Sequence, residues 1–556
     1  MKRDTLALVG ICLLTLFAGL GAPAITDSDE GFYAESAREM VETGDWLTPH
    51  FNYTYRFQKP VLYYWLAATA YTVVGVSEAA ARFPAALSGL GLALITFACA
   101  RRWYGRQTGL LAGVIIATSF GLVAMARQAL PDLTLAFFLT MSTWAALVAW
   151  LDPPPGDGSA PLTDRERQGW AVLAAVGAAG ALLTKGPIGL ALPALVVGPL
   201  VAWEYWSARS QPRLRLSHVA LCLAVLLMLG APWYLAMTVE HGTAYLDRFF
   251  IGENVDRFAT ARYNDPRPVW YYPPIVFSGM LPWSPFMLLW VPAVKRMTRT
   301  GIARAVAGGR LAWWAAAPLI FYTLSVGKQP RYILPILPPL AILLALAIQR
   351  RLSDGLDNRL FSICAGFAGA TLVGLAALVY RAEPLFVEWD GGWIAAAAGA
   401  IALSGIAVLV SVTRPKIVPW VLPAAAIVVT LSAHFVVLSS PGPAPVERMA
   451  EIVLNATDGD QRSSRYNIFS RNLIFYTGRP FEDLSAPEAA RDFLGSPTPV
   501  FLVLPAEDIP LLESLGATMR QLAEVRYLNT GGFTMRTLVA PDPARHLRRV
   551  VLVTNK

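Results

Sequence analysis

Charged side chains are scarce in this sequence. Asp, Glu, Lys and Arg together make up 15% of its 556 residues, whereas 55% are hydrophobic. A soluble chain of this length needs a much larger polar surface, so the composition excludes an ordinary soluble protein and indicates a membrane protein. The net charge of +8 does not indicate nucleic-acid binding, because the basic residues stand between apolar segments.

Cysteine is also scarce, and two kinds of cofactor motif are missing. The four cysteines, Cys12, Cys99, Cys222 and Cys364, all lie inside apolar runs and form no CxxC pair. They are therefore predicted to be packed thiols, and not disulfides or metal ligands. The sequence lacks Walker and Rossmann glycine loops, so nothing in it requires a nucleotide cofactor.

An internal repeat between the two halves of the chain, which is common in transporters, is missing as well.

Long apolar segments are abundant and divide the chain. The candidates lie at about 5–25, 61–76, 84–100, 108–126, 131–151, 170–184, 187–206, 218–238, 273–294, 311–326, 331–349, 360–380, 393–412 and 419–438. Every basic cluster falls on the cytoplasmic side, as the positive-inside rule requires, if 61–76 lies on the membrane surface instead of crossing it. That segment is short and rich in aromatic residues, which suits the headgroup zone.

We therefore predict an α-helical polytopic membrane protein with about thirteen transmembrane helices, its N-terminus inside and its C-terminus outside. The first apolar segment is long enough to span, and we interpret it as a retained signal anchor. Domain boundaries are predicted at 1–440 for the membrane domain and 441–556 for a small α/β domain. Two long outer loops are expected, at about 26–83 with interfacial helices and at about 240–272.

The predicted C-terminal domain begins after the Pro441-Gly442-Pro443 linker. Helical patterns near 446–454 and 507–515, the stretch 467–476 and an apolar strand at 500–504 indicate its α/β character. We find no catalytic motif in it. We expect it to cover the site or to support the fold.

Acidic residues gather at the predicted outer ends of spans. Asp27, Asp29 and Glu30 follow the first span directly, and Asp132 begins the fourth. An acid at such a depth needs a partner or water. Each could alternatively cap a helix, since an Asp near a helix start satisfies free N–H groups.

Cations recur on the same predicted side, against the positive-inside rule. They are Lys59, Lys185, Arg248, Arg257, Arg262, Lys328 and Arg331. Taken singly, each could extend its charged end to the membrane interface. Together with the acids they indicate a site that holds anions, such as a lipid phosphate, because Arg and Lys compensate phosphate charge.

An ordered set of motifs carries a family resemblance. The set runs from residues 27–35 and 57–60 through 127–132, 184–187, 232–234, 249–258, 270–273 and 282–283 to 328–335. It resembles the GT-C integral-membrane glycosyltransferases of the protein mannosyltransferase superfamily, and most closely the bacterial ArnT branch. That branch moves 4-amino-4-deoxy-L-arabinose from undecaprenyl phosphate to lipid A. The resemblance covers about residues 5–440.

The resemblance implies roles for particular residues. Asp29 matches the catalytic aspartate of the first loop, Asp132 matches the acid of the second outer loop, and both are predicted to be catalytic. Lys59 and Arg257 match the cations that meet the donor phosphate. Where the family pattern has an acid before that lysine, this chain has Gln58, which puts metal contact by that position in doubt.

The remaining candidates rest on position and on residue type. Lys328 and Arg331 are predicted to bind the donor phosphate, and Glu30, Asn254, Tyr332 and Lys185 are candidates for substrate binding. His241 is a weak candidate metal ligand, because a lone loop histidine is more often solvated. No cofactor is required by the sequence, and a divalent metal requirement stays open.

The predicted reaction is transfer of aminoarabinose from undecaprenyl phosphate to a lipid A phosphate, at the periplasmic face of the bacterial inner membrane. A single displacement would invert the anomeric carbon. One alternative is a transferase of another sugar, such as mannose or galacturonate, to lipid or protein. A lipid transporter or flippase is an alternative of a different class, although the charges gather at one face instead of at the midplane. A structural scaffold would leave the outer acids and cations unexplained.

Overall fold

The structure is a computed structural model of the whole chain. It describes residues 2–26, 29–151, 162–206, 215–256, 259–260, 266–290, 302–353, 358–386, 391–439, 441–457, 461–468, 471–528 and 535–556. Side chains are described in all of these except 302–308, 391 and 535.

Helices make up most of the described residues up to 440. In chain order they are α1 Lys2–Cys12, α2 Asp29–Thr43, α3 Leu62–Val74, α4 Glu78–Tyr104, α5 Arg106–Ala117, α6 Phe120–Ala126, α7 Pro131–Leu151, α8 Asp164–Lys185, α9 Ile188–Trp206, α10 Leu216–Leu246, α11 Tyr272–Gly279, α12 Ile302–Leu324, α13 Leu337–Ser353, α14 Arg359–Arg381, α15 Gly391–Ser411 and α16 Val418–Ser432. Shorter helical turns of other types are Leu13–Phe17, Asp247–Asp256, Ser284–Leu289, Pro330–Ile336, Glu383–Leu385 and Ala433–Val437.

Within the described residues, eight helices are long and apolar enough to cross a membrane. The pair α5 and α6, bent by 59°, would be a ninth span. These nine coincide with nine of the thirteen predicted spans. The other four, 5–25, 170–184, 273–294 and 311–326, fall on shorter, less apolar or partly described helices, so the count of thirteen stays a prediction. The chain is a multi-pass membrane protein.

The segment predicted to lie on the membrane forms α3, a helix of 13 residues. A helix that crosses the hydrocarbon core needs about 20 residues, so α3 is too short to span. Its Tyr63, Tyr64 and Tyr71 are buried against other protein groups, and Tyr71 donates a hydrogen bond to the carbonyl of Ala34. The aromatic residues of α3 therefore pack on α2, and the placement of α3 on the membrane surface stays a prediction.

The first loop is folded, and it is not a simple connection. Helix α2 follows the first span, and a hairpin of β1 His50–Phe51 and β2 Thr54–Tyr55 comes between α2 and α3. Glu39 of α2 holds the hairpin turn, because its carboxylate accepts hydrogen bonds from the backbone N–H groups of Asn52 and Tyr53. The loop thus forms a rigid layer at one end of the helical bundle, which we call the site end.

The C-terminal domain is a mixed sheet with helices. Its strands are β3 Ser463–Tyr466, β4 Glu482–Leu484, β5 Phe501–Pro505, β6 Arg520–Leu528 and β7 Leu547–Thr554, in the spatial order β4-β3-β5-β7-β6. Its helices are α17 Pro445–Ala456, α18 Arg471–Thr477, α19 Pro487–Leu494, α20 Ile509–Ser514, α21 Met535–Val539 and α22 Pro543–His546. Strand β3 runs parallel to β4 and β5, and β7 runs antiparallel to β5 and β6.

Strand β5 is the centre of this domain, as the apolar run at 500–504 predicts. Phe501 and Val503 belong to one hydrophobic cluster, and Leu502 and Leu504 belong to another. Successive strand residues point to opposite faces, so both faces of the sheet are covered. The stretch 467–476 contributes α18, which packs against α2 of the first loop.

Candidate functional site

Two carboxylates from distant parts of the chain meet at one arginine. Asp29 begins α2, and Asp132 lies in the first turn of α7, whose Pro131 suits a helix start. Arg331, in the helical turn that starts at Pro330, donates a hydrogen bond to Asp29 Oδ2 and lies 3.3 Å from Asp132 Oδ2 through its Nε. Asp132 therefore acts as an ion-pair partner, and no capping contact is needed to explain it.

A second cation completes the pairing of Asp132. Lys185 donates to Asp132 Oδ1, and its ammonium lies 4.4 Å from the ring centroid of Tyr332. Lys185 is the last residue of α8, where Gly186 ends the helix with a φ of +83°. A side chain at 186 would meet the ring of Phe249 at 2.7 Å, so glycine is required there for shape as well as for conformation.

The electrostatics favour an ionised Asp29. Burial by itself raises the pKa of this carboxyl, but the charges of Arg331, Arg471 and Arg56 outweigh burial and lower the pKa below its ordinary value. The Asp29 side chain keeps 38% of its surface exposed. It is thus a charged group that a substrate can still reach.

A cavity of about 230 Å³ lies beside these ion pairs. Its polar lining comes from Gln58, Lys59, Lys185, Glu253, Asn254, Ser325 and Tyr332. Its apolar lining includes Ile188, Phe249 and Phe321. A lining that combines cations with apolar side chains suits the phosphate and the hydrocarbon of a lipid phosphate.

Lys59 reaches this cavity already paired. Its ammonium donates to Glu253 Oε2 at 2.8 Å and to the carbonyl of Gln58 at 2.9 Å. Glu253 is nearly fully buried, so its charge needs the lysine. A donor phosphate could bind Lys59 only as an additional or competing anion.

Gln58, the departure from the family pattern, brings a neutral amide into the cavity wall. Among the described residues its Oε1 is buried and has no hydrogen-bond partner. Gln58 is one of the residues that line the cavity. The neutral amide offers less to a divalent cation than a carboxylate would.

Asn254, which lines the cavity, and Lys328 both have local partners. Asn254 donates through Nδ2 to the carbonyl of Phe249 at 2.8 Å. Lys328 is 6% exposed and donates to the carbonyls of Ser325 and Arg267, at 2.5 and 3.2 Å. These bonds favour a role for Lys328 in holding the loop before Arg331. Direct contact with the donor phosphate is better supported for Lys59, which lines the cavity.

Glu30 is placed differently from its neighbour Asp29. It is fully buried and accepts hydrogen bonds from Arg82, from the backbone N–H of Ala129, and from the N–H and hydroxyl of Thr26. Its carboxylate is surrounded by protein donors. The structure thus favours a structural role over the predicted substrate contact.

His241 and Arg257 are the remaining candidates. The Nε2 atom of His241 lies 2.8 Å from the hydroxyl of Thr48, and its ring packs on Tyr55 and Phe57. In the part of the chain that the structure describes, no three His, Cys, Asp or Glu side chains are grouped to hold a metal ion. Arg257, like Asp27 and Arg262, lies outside the described residues.

Sequence reasoning missed Arg471 and Glu253. Arg471, the first residue of α18 in the C-terminal domain, lies 3.6 Å from Asp29 Oδ1. No local pattern marks it, because its partner is more than 400 residues away in the sequence. Glu253 stands four residues before Arg257 inside the second predicted loop, where its acidity among cations is the one signal that could have drawn attention to it.

Comparisons with known proteins agree with this architecture. The family model of dolichyl-phosphate-mannose-protein mannosyltransferases matches residues 24–246. An undecaprenyl phosphate-α-4-amino-4-deoxy-L-arabinose arabinosyl transferase of Aeromonas salmonicida is 31% identical over 458 residues, which are 78% of this chain and 80% of that protein. A second transferase of this name, from Pseudomonas fluorescens, is 34% identical over 389 residues, 68% of this chain. The matched region spans 66% of the length of that protein.

Solved structures share the fold. The crystal structure of ArnT from Cupriavidus metallidurans bound to undecaprenyl phosphate has a TM-score of 0.74 and 23% identity, with 99% of this chain and 98% of that chain covered. The apo oligosaccharyltransferase of Archaeoglobus fulgidus has a TM-score of 0.50 and 13% identity, with 91% of this chain and 70% of that chain covered.

The helical membrane fold, with acids and cations gathered beside a cavity at one end, is that of a GT-C integral-membrane glycosyltransferase. More narrowly, this chain belongs to the family of undecaprenyl phosphate-4-amino-4-deoxy-L-arabinose arabinosyl transferases. The predicted fold class and family resemblance are thereby confirmed.

Proposed function

We propose that this chain transfers 4-amino-4-deoxy-L-arabinose from undecaprenyl phosphate to a phosphate of lipid A, at the periplasmic face of the inner membrane. The observation that carries the proposal is the meeting of Asp29, Asp132, Lys185 and Arg331 beside a cavity that also contains Lys59. The names of the curated relatives support the choice of sugar and carrier.

The donor carries its own activated bond, because the sugar is joined to a lipid phosphate. An acceptor oxygen attacks the anomeric carbon, that carbon's bond to the phosphate oxygen breaks, and undecaprenyl phosphate leaves with the electron pair. A single displacement of this kind inverts the anomeric centre. Charge grows on the departing phosphate, so cations placed beforehand stabilise the transition state.

The cations are proposed to divide this work by position. Lys59 and Lys185 line the cavity and face the departing phosphate, and Arg257 joins them in our sequence-based assignment. Arg331 spans the two carboxylates and holds them at a defined separation. Lys59, Lys185 and Arg331 are in place before the substrates bind, so little reorganisation of these charges is needed during the reaction.

Asp29 is proposed to act on the acceptor. It is ionised and partly exposed, and Arg331 joins it to Asp132, whose partner Lys185 lines the cavity, so it can orient a hydroxyl or take its proton. If the acceptor is a lipid A phosphate, it is already largely ionised, and Asp29 then positions the acceptor or binds the amine of the sugar. Asp132 has both carboxylate oxygens beside cations and is proposed to keep Lys185 and Arg331 in place.

The direct test uses the purified full-length chain in vesicles that contain lipid A. Undecaprenyl-linked aminoarabinose, mannose and galacturonate are supplied separately, and lipid A is examined by mass spectrometry. We expect a gain of one aminoarabinose and little transfer of the other sugars. Preferred transfer of mannose or galacturonate would overturn the choice of sugar. Movement of the lipid donor between leaflets without any transfer would favour the flippase alternative.

A further inference from the structure

The C-terminal domain is fastened to the first loop by buried contacts. Asn472 of α18 donates to the carbonyl of Ile25 at 2.8 Å, and the Tyr476 hydroxyl accepts from the Ile25 N–H at 2.8 Å and donates to Glu78. A Cβ at Gly31 would lie 3.0 Å from the Asn472 backbone nitrogen. The helix start of α18 is therefore pressed against the first turn of α2.

Close docking brings Arg471 to the catalytic end of α2. Its Nη1 lies 3.6 Å from Asp29 Oδ1, whereas Arg331 donates to the other oxygen, Oδ2. The Arg471 guanidinium also lies over the Phe32 ring, 4.2 Å from its centroid, and the Arg56 guanidinium is 4.0 Å from the same centroid. These contacts place Arg471 by an aromatic ring as well as by charge.

We propose that Arg471 is a positioning residue, and that through it the C-terminal domain completes the active site instead of only covering it. The two arginines, one from each domain, hold the two oxygens of Asp29 and so set the direction of its carboxylate toward the acceptor. This inference rests on the proposed role of Asp29 in transfer.

The geometry also predicts how the domain and the site depend on each other. Arg471 is the first residue of α18, and Asn472 beside it makes the buried contact to Ile25. A small tilt of the C-terminal domain would therefore move Arg471 with respect to Asp29. The reaction depends on the position of the reacting groups to within about 1 Å, so such a tilt would lower the rate of transfer.

The test compares R471Q and R471K with the wild-type full-length enzyme in the aminoarabinose transfer assay. We expect R471Q to lower kcat by about 10- to 100-fold while the donor KM stays nearly unchanged, because Arg471 contacts Asp29 and not the cavity. R471K keeps the charge and should recover part of the loss. The matched control is R462Q, which removes an exposed arginine paired with Glu482 in the same domain and should leave kcat unchanged.

The pH profile separates positioning from a merely structural role. Loss of a neighbouring cation raises the pKa of a carboxyl, so the acid limb of kcat should move to higher pH in R471Q, by up to about one unit. An R471Q enzyme with wild-type kcat and an unmoved acid limb overturns the inference. A loss of kcat with no change of the limb and no recovery in R471K would overturn it too, since it would indicate a structural role.

A double-mutant cycle on thermal unfolding tests the Asp29–Arg471 interaction without any substrate, and so independently of the proposed sugar. D29N, R471Q and the double variant are compared in detergent, and the effects on Tm should be non-additive because the two side chains interact. Additive effects on Tm would show that Asp29 and Arg471 do not interact and would overturn the inference. If the wild type transfers no aminoarabinose, the proposed function fails while the cycle still reports on the contact. If D29N keeps full activity, both the role of Asp29 and the positioning role of Arg471 are wrong.

Discussion

Two neighbouring groups of charged residues at the site end differ in how completely protein partners surround them. The first, the Glu30–Arg82 pair, is closed: Arg82 donates to Glu30 and to the carbonyls of Leu20, Pro23 and Ala24. The second, the Asp29 cluster (Asp29, Asp132, Lys185, Arg331 and Arg471), is open, because Asp29 keeps 38% of its side chain exposed.

The difference teaches which charges are available for chemistry. A buried ion pair whose donors and acceptors are all used joins neighbouring segments of the chain and has no group left to bind a substrate. An open cluster with an excess of cations can bind an added anion readily, because part of its positive field is not neutralised within the protein. The consecutive residues Asp29 and Glu30 thus differ: Asp29 is the one that we propose acts in the reaction, and Glu30 is enclosed by protein donors.

The largest expected effect comes from neutralising the open acid. D29N should lower transfer by about 10³-fold, in the range of lost general-base or orienting function, because the amide keeps the shape but not the charge. Its thermal stability should stay within about 1 kcal/mol of the wild type, since the side chain is partly exposed. Both are measured on purified enzyme. Full activity in D29N would remove the distinction between the two acids.

The closed pair should respond in the opposite manner. E30Q leaves the buried Arg82 without a charged partner, so we expect the free energy of unfolding to fall by about 3–5 kcal/mol. Thermal unfolding in detergent measures this loss. The E30Q enzyme that remains folded should keep a kcat near that of the wild type. A stable E30Q enzyme that cannot transfer sugar would show that Glu30 contacts substrate after all.

Lys59 lines the same cavity as Lys185 of the Asp29 cluster, and its substitution tests donor binding there. We propose that Lys59 contacts the donor phosphate, so we expect K59A to raise the donor KM by about 10- to 100-fold. The loss also leaves Glu253 buried without its lysine, so stability must be measured in parallel. K416A, in an exposed turn between helices, is the matched control. An unchanged donor KM would contradict a phosphate role.

The pH dependence gives the smallest effect near neutrality. Because the folded-state pKa of Asp29 is lowered, its carboxylate persists as pH falls past the ordinary value of 3.8 and is lost only when pH passes through the lowered pKa. We therefore expect the wild-type rate to hold as pH falls to 3.8, with the acid limb assigned to Asp29 below that value. Initial rates between about pH 3.5 and 8 test whether the wild-type rate holds over this range, and R471Q should bring the limb into it. A limb that begins near pH 6 in both enzymes would belong to another group.

The sequence predicted much of the fold because hydropathy and charge placement are local properties. Nine predicted spans coincide with helices or a bent helix pair, and the short aromatic segment forms α3 as expected. It also predicted that Asp29, Asp132, Lys59, Lys185 and Arg331 share one end of the membrane domain, since topology follows from the Lys and Arg in the loops. The end of α8 at Lys185 was likewise readable from Gly186-Pro187.

Only the tertiary structure decided which of these charges meet. Asp29 and Glu30 look equivalent in the sequence, yet their partners Arg331 and Arg82 lie 302 and 52 residues away. Lys328 and Arg331 are three residues apart, and only Arg331 turns toward the acids. Arg471 joins the site from another domain. Ion pairing depends on a few ångströms of distance and on burial, and neither is encoded in any local pattern of residues.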